Sequence, residues 1–277
     1  MLIRIGHELI FDLQEPVAMT LMLSVHPSRA GDVRAYRASI EPDVPLHTFT
    51  DSFGNICGRV LAPAGKIRFF ADGIVEDCGQ PDSIPTGADA EQLRVEDLPD
   101  ECLQFLLNSR YCEVDKMVPI AWDLFGNTNG GYERVQAILN YVNSKITFGY
   151  AFARPTKSAF DAYAERMGVC RDFAHTALTF CRCMNIPARY TTGYLGDIGV
   201  AKSASPMDFS GWFEVFLGGK WHTCDARHNT PRIGRIVMAR GRDATDVALT
   251  TSYGGAPLVG FKVVTEEVGD EALRDFG

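Results

Sequence analysis

Cys170 stands where a thiol can be made reactive. It lies in Gly168-Val169-Cys170-Arg171-Asp172-Phe173-Ala174-His175, the opening of a segment whose Phe173, Ala174, Ala177, Leu178, Cys181 and Met184 recur at helical spacing. Asn185 and Pro187 stop that helix. A thiol in the first turn meets free backbone N–H groups and the partial positive end of the helix. Both lower its pKa, and the amides supply a donor for an oxyanion. Cys57, Cys78, Cys102, Cys112, Cys181, Cys183 and Cys224 have no such setting and read as small hydrophobes. Asp172 reads as a carboxylate favoured at a helix N-terminus. His175 is turned by about 140° around the helix axis from Cys170 and is expected to hydrogen-bond within the core.

The elements that must hold this helix follow from periodicity. Val135, Ile138, Leu139, Val142 and Ile146 mark a helix, and weaker ones are expected over 98–108, 114–125 and 158–167. Strands follow at Arg189 to Tyr194, Gly211 to Leu217 and Lys220 to Ala226. Before residue 80 the pattern is short and strand-like, at Leu2 to Phe11, Val17 to His26, Asn55 to Ala62 and Lys66 to Val75, with turn residues between. A polar stretch with Pro81, Pro85 and Gly87 has linker composition and sets a boundary near 80–97. The expected fold class is α+β: a β-sandwich-like domain over 1–85, then a domain over 98–277 with helices packed on an antiparallel sheet.

The run around Cys170, followed by Asn185-Ile186-Pro187-Ala188-Arg189-Tyr190 and Gly193-Tyr194, resembles the core of the bacterial transglutaminase-like superfamily, a papain-related cysteine hydrolase fold. Trp212 to Trp221 with Cys224-Asp225 resembles that family's catalytic hairpin. The resemblance spans roughly 98–253, and the β-rich start resembles the N-terminal region often fused to such domains. It implies a Cys–His–Asp triad, with Cys170 as nucleophile and Asp225 as the carboxylate that orients the imidazole. The family's hairpin begins His-Ala-Trp, whereas this chain reads Ser210-Gly211-Trp212, so Ser210 stands at the place of the base.

With Gly218-Gly219 as a two-residue turn, Leu217 faces Lys220 and Trp212 faces Asp225, which makes Ser210 a diagonal neighbour of Asp225 on one face. His222 and His228 each differ from Asp225 by three positions and would point to the other face of a regular strand. His228 lies beyond Ala226, where the strand ends and a bend could swing it back, so it is the candidate replacement base. His7, His26 and His47 belong to the β-domain. Trp212 and Trp221 share one face of the hairpin, for core packing or for shaping a cleft. Arg171 and Arg227 could hold an anionic substrate, but read more simply as surface arginines. The basic stretch from Pro231 to Ile236 with Arg240 to Asp243 is expected to be a solvated loop pairing with Asp243 and Asp246.

A net charge of −8 without a basic stripe argues against nucleic acid as partner. No apolar run approaches the roughly 18 residues of a membrane span, and the first residues lack the form of a signal peptide. Eight cysteines without a regular framework suggest free thiols in a reducing, cytoplasmic setting. Their spacing suits no metal, and no cofactor is implied. The expected function is a thiol acyl hydrolase or acyl transferase acting on a peptide or amide bond through Cys170, with Asp225 and His228, and with a thiol pKa below the ordinary value. The alternative is a catalytically impaired binding protein in which Ser210 marks the lost base. A third reading makes the β-domain a module that recruits a protein partner.

Overall fold

A computed structural model describes residues 1–203 and 205–276. Strands β1 (Leu2–Leu13), β2 (Val17–Leu21), β3 (Val33–Glu41), β4 (His47–Thr50), β5 (Ile56–Ala62) and β6 (Gly65–Glu76) build a sandwich of two antiparallel sheets. Alternation drives it. Ile3, Ile5, Leu9, Phe11 and Leu13 of β1, Val17, Met19 and Leu21 of β2, and Ile67, Phe69 and Ala71 of β6 are buried in turn. The expected strand at Val17 to His26 stops at Leu21, and Pro27 opens a 3-10 turn. Strands β3 and β4 went unread because they lie at sheet edges and bury no residue fully, so they carry no apolar alternation.

The second half opens with α1 (Asp100–Leu103), α2 (Val114–Phe125), α3 (Tyr132–Lys145), β7 (Thr147–Phe148), α4 (Ala159–Glu165), β8 (Met167–Gly168) and α5 (Cys170–Cys183). Strands β9 (Ala188–Leu195), β10 (Ser210–Leu217), β11 (Lys220–Cys224) and β12 (Arg235–Gly241) then form a sheet in the order β11-β10-β9-β12. Helix α5 is buried nearly all round, as befits a helix at the centre of its layer. Its Arg182 is satisfied by the Ala188 and Leu107 carbonyls at 2.9 and 3.1 Å. The mixed helix and antiparallel-sheet class expected from the sequence is what the chain adopts.

The expected boundary needs correction. Strand β13 (Thr250–Ser252) pairs with β2, and β14 (Leu258–Val268) runs along β1 from Val268 opposite Leu2 to Leu258 opposite Phe11. Residues 250–268, assigned above to the domain over 98–277, therefore complete the two N-terminal sheets. Of β14 only Val263 and Thr265 are buried, so its own pattern is weak and a distant partner decides its place. The basic stretch is also corrected. Residues 235–241 are strand β12, and Arg232 and Arg235 are buried rather than solvated.

One buried ion cluster ties the halves together. Glu214 of β10 accepts from Arg189 of β9 at 2.6 Å and from Arg240 of β12 at 3.0 Å. Arg240 also reaches His26 Nδ1 and Ser28 Oγ, both at 3.1 Å, beside the sandwich. Burial alone would push the Glu214 carboxyl up, but the two guanidiniums outweigh it and hold it below the usual range. Removing one partner of a buried pair strands the others. Glu214→Ala is expected to lower the unfolding free energy by about 3–5 kcal/mol in a denaturant titration. The depressed carboxyl stabilises only when ionised, so the gap from wild type is full above the ordinary glutamate range and closes as pH falls through the folded-state value.

Candidate active site

Cys170 begins α5, held there by local geometry. Asp172 Oδ2 accepts the Val169 N–H at 2.9 Å, and a Cβ on Gly168 would come within 2.6 Å of the Asp172 side chain. Glycine is what lets that carboxylate fold back. Burial pushes the Asp172 carboxyl up, against the Val169 amide and Arg171. It serves as the helix-start carboxylate expected.

The half-buried Cys170 sulfur feels the Gly211 and Arg171 backbone amides and the charges of Arg227 and Asp208. Burial is the largest influence and pushes the thiol up. The two amides and Arg227 pull it down, and Asp208 adds to the rise. The expectation of a depressed thiol is thereby overturned, because desolvation of the thiolate outweighs the helix terminus.

Asp225 and His228 come together. Gly218 and Gly219 take positive φ values of 55° and 82°, and the register pairs Leu217 with Lys220 and Phe213 with Cys224, so Trp212 is level with Asp225 as expected. Strand β11 ends at Cys224. The chain then turns, with Asp225 Oδ1 accepting the backbone N–H groups of Arg227 and His228 at 2.9 and 3.0 Å. The turn removes the objection from strand parity and brings His228 Nδ1 to 2.8 Å from Asp225 Oδ2. With Nδ1–H donating to the carboxylate, Nε2 carries the lone pair a base needs.

Arg235, within the stretch expected to be a solvated loop, belongs to this group as well. Its Nη2 donates to Asp225 Oδ2 and its Nε to Asp82 Oδ2, each at 2.8 Å. Burial opposes ionisation of Asp225, yet Arg235 and His228 prevail and hold its carboxyl well below the usual range. Nothing in local sequence pairs residues 82, 225 and 235.

Tyr150, Asp208, Ser210, Arg227 and His228 line one open cleft. The Ser210 hydroxyl is buried without a hydrogen-bond partner among the described residues. Its neighbour Gly211 answers a tight contact, since a Cβ there would lie 2.1 Å from the Tyr190 hydroxyl. Thus where the family pattern reads His-Ala, this chain has Ser-Gly with a tyrosine filling the space.

The remaining candidates fall away from the cleft. His175 stacks on Tyr111 and meets Tyr190 at a tilt, accepts the Ala244 N–H at 3.1 Å, and is pushed by burial down to about 3. His222 is buried on β11 near the Leu217 carbonyl at 3.3 Å. Trp212 is buried under Arg235, and Trp221 packs edge-on to Phe105 and Phe216, so both serve the core. Among the described residues no cluster of three metal-ligating side chains occurs.

Residues 120–226 match the sequence profile of the transglutaminase-like superfamily. An uncharacterised protein of Mycobacterium leprae is 27% identical over 238 residues, 83% of this chain and 84% of the relative. The crystal structure of a provisionally assigned cysteine protease from Cytophaga hutchinsonii superposes with a TM-score of 0.83 at 27% identity, covering 96% of this chain and 90% of that one.

The surroundings of the sulfur predict its titration. Alkylation of Cys170 by iodoacetamide, followed by mass spectrometry of its peptide, should rise with a midpoint above the ordinary thiol value of about 8.5. Arg227→Gln removes a positive charge and should move the midpoint further up, while Asp208→Asn removes a negative one and should move it down. A wild-type midpoint below the ordinary value would contradict this ordering.

Proposed function

Because residues 120–226 form a domain of the transglutaminase-like superfamily, we propose that this protein is a cysteine-dependent hydrolase or acyl transferase that opens a peptide or amide bond at Cys170. The observation that carries the reading is the 2.8 Å contact between His228 Nδ1 and Asp225 Oδ2, which gives the chain an oriented imidazole although Ser210 occupies the family's histidine place.

In this reading the thiol is protonated at rest and loses its proton as it attacks, which is general-base activation rather than a standing thiolate. Cys170 Sγ adds to the amide carbonyl, and its proton passes to His228 Nε2. Asp225, kept ionised by Arg235, stabilises the imidazolium. The first amides of α5 and the Tyr190 hydroxyl are donors for the oxyanion. The imidazolium then protonates the leaving amine, and water or another amine takes the acyl group from sulfur. The free cysteines support a reducing compartment such as the cytoplasm.

A second reading, a cleft kept for binding alone, is favoured by the upward push on the thiol. Amine release from a library of peptide amides separates the two. His228→Ala should lower turnover by about 10²–10⁴-fold, and adding Ser210→His to that variant should restore part of it by returning an imidazole to the β10 position. Equal amine release by wild type and Cys170→Ala would overturn the hydrolase reading in favour of binding.

A further inference from the structure

Charged groups in the cleft lined by Tyr150, Ser210 and His228 sort into two kinds. Asp197 and Arg232 pair with each other at 3.7 Å, Arg232 also donates to the Gly196 carbonyl at 2.8 Å, and His228 is committed to Asp225. Asp208 and Arg227 line the same cleft, yet among the described residues neither forms an ion pair, with the other or with any third group. One face of the Arg227 guanidinium lies 3.8 Å from the centre of the Phe148 ring, which fixes its plane, and its N–H edge faces the Tyr150 hydroxyl on the cleft wall. Burial pushes the Asp208 carboxyl up, against the Phe209 amide and the charge of Arg227.

A ligand with one charge would answer one of these groups and leave the other unmatched. A ligand bearing both signs answers both and enters with no net charge. We propose that this cleft receives a free α-amino-acid centre on the substrate, Asp208 taking its ammonium and Arg227 its carboxylate, a few bonds from the amide that Cys170 attacks. The inference rests on the hydrolase reading only for that last clause. Amides whose α-amino and α-carboxyl groups are tied up in peptide bonds would lack both handles.

Binding to the Cys170→Ala protein tests the cleft apart from the chemistry. The probes are γ-L-glutamyl-p-nitroanilide, glutaryl-p-nitroanilide without the ammonium, and 4-aminobutanoyl-p-nitroanilide without the carboxylate, measured by calorimetry. The zwitterionic probe should bind tightest, and each deletion should cost at least about tenfold, as for a charge-assisted hydrogen bond. Asp208→Asn should abolish only the preference over the glutaryl probe, and Arg227→Gln only that over the aminobutanoyl probe. Absence of binding by the zwitterion, equal binding of all three, or preferences that survive both substitutions would overturn the proposal. If the binding pattern holds while wild type releases no nitroaniline from the zwitterionic probe, the cleft assignment stands and the hydrolase reading falls.

Discussion

The Asp225 carboxylate is the point on which the site turns. Its Oδ1 accepts two backbone N–H groups of the following turn, and its Oδ2 takes His228 and Arg235. Each bond settles a different matter: the turn, the imidazole, and the charge state. A buried carboxylate without partners would be costly enough to protonate, and a neutral acid could not orient an imidazole in the same way. Arg235 answers that cost and is itself balanced by Asp82. The segment between the sandwich and the helices is thus tied to the site, its Asp82 N–H also bonding the Arg232 carbonyl.

The consequence for Ser210 is one of topology. In the family pattern the imidazole stands on the hairpin's first strand and the carboxylate on its second. Here the carboxylate keeps its place, and the imidazole follows it by three residues, supplied by a turn that the same carboxylate nucleates. In the proposed reading, base and orienting acid therefore come from one local motif, an Asx-type turn. Beside Ser210, a Cβ on Gly211 would lie 2.1 Å from the Tyr190 hydroxyl, so glycine is what lets that tyrosine close against β10.

What the sequence made legible was local. The start and stop of α5, the span of α2 and the register of the β10–β11 hairpin all follow from spacing, capping and a glycine pair, and each depends on residues close in the chain. What it hid was tertiary. Strand β14 gains its place from β1, more than 240 positions away, through backbone bonds that leave little trace in side-chain type. Arg235 looked like part of a solvated basic loop because its two carboxylate partners are distant or masked by a turn. The direction of the Cys170 shift failed for the same reason: a helix terminus can be read from sequence, but the packing that desolvates the sulfur cannot.

In the proposed reading, that upward shift favours general-base activation over a standing thiolate. A cysteine that rests as a thiolate must hold a negative charge permanently, which calls for a nearby cation or a solvated setting. Here Arg227 and Asp208 act on the sulfur in opposite directions and burial decides. A zwitterion seated on those two residues would neutralise both and exclude water, leaving burial to dominate still further. The bound thiol would then stay neutral until the carbonyl is within reach, when proton transfer to an imidazole already aligned by Asp225 becomes the least costly way to form the sulfur–carbon bond. In the proposed reading, substrate charge, cleft and base would act as one arrangement, the nucleophile being generated only in the presence of its target.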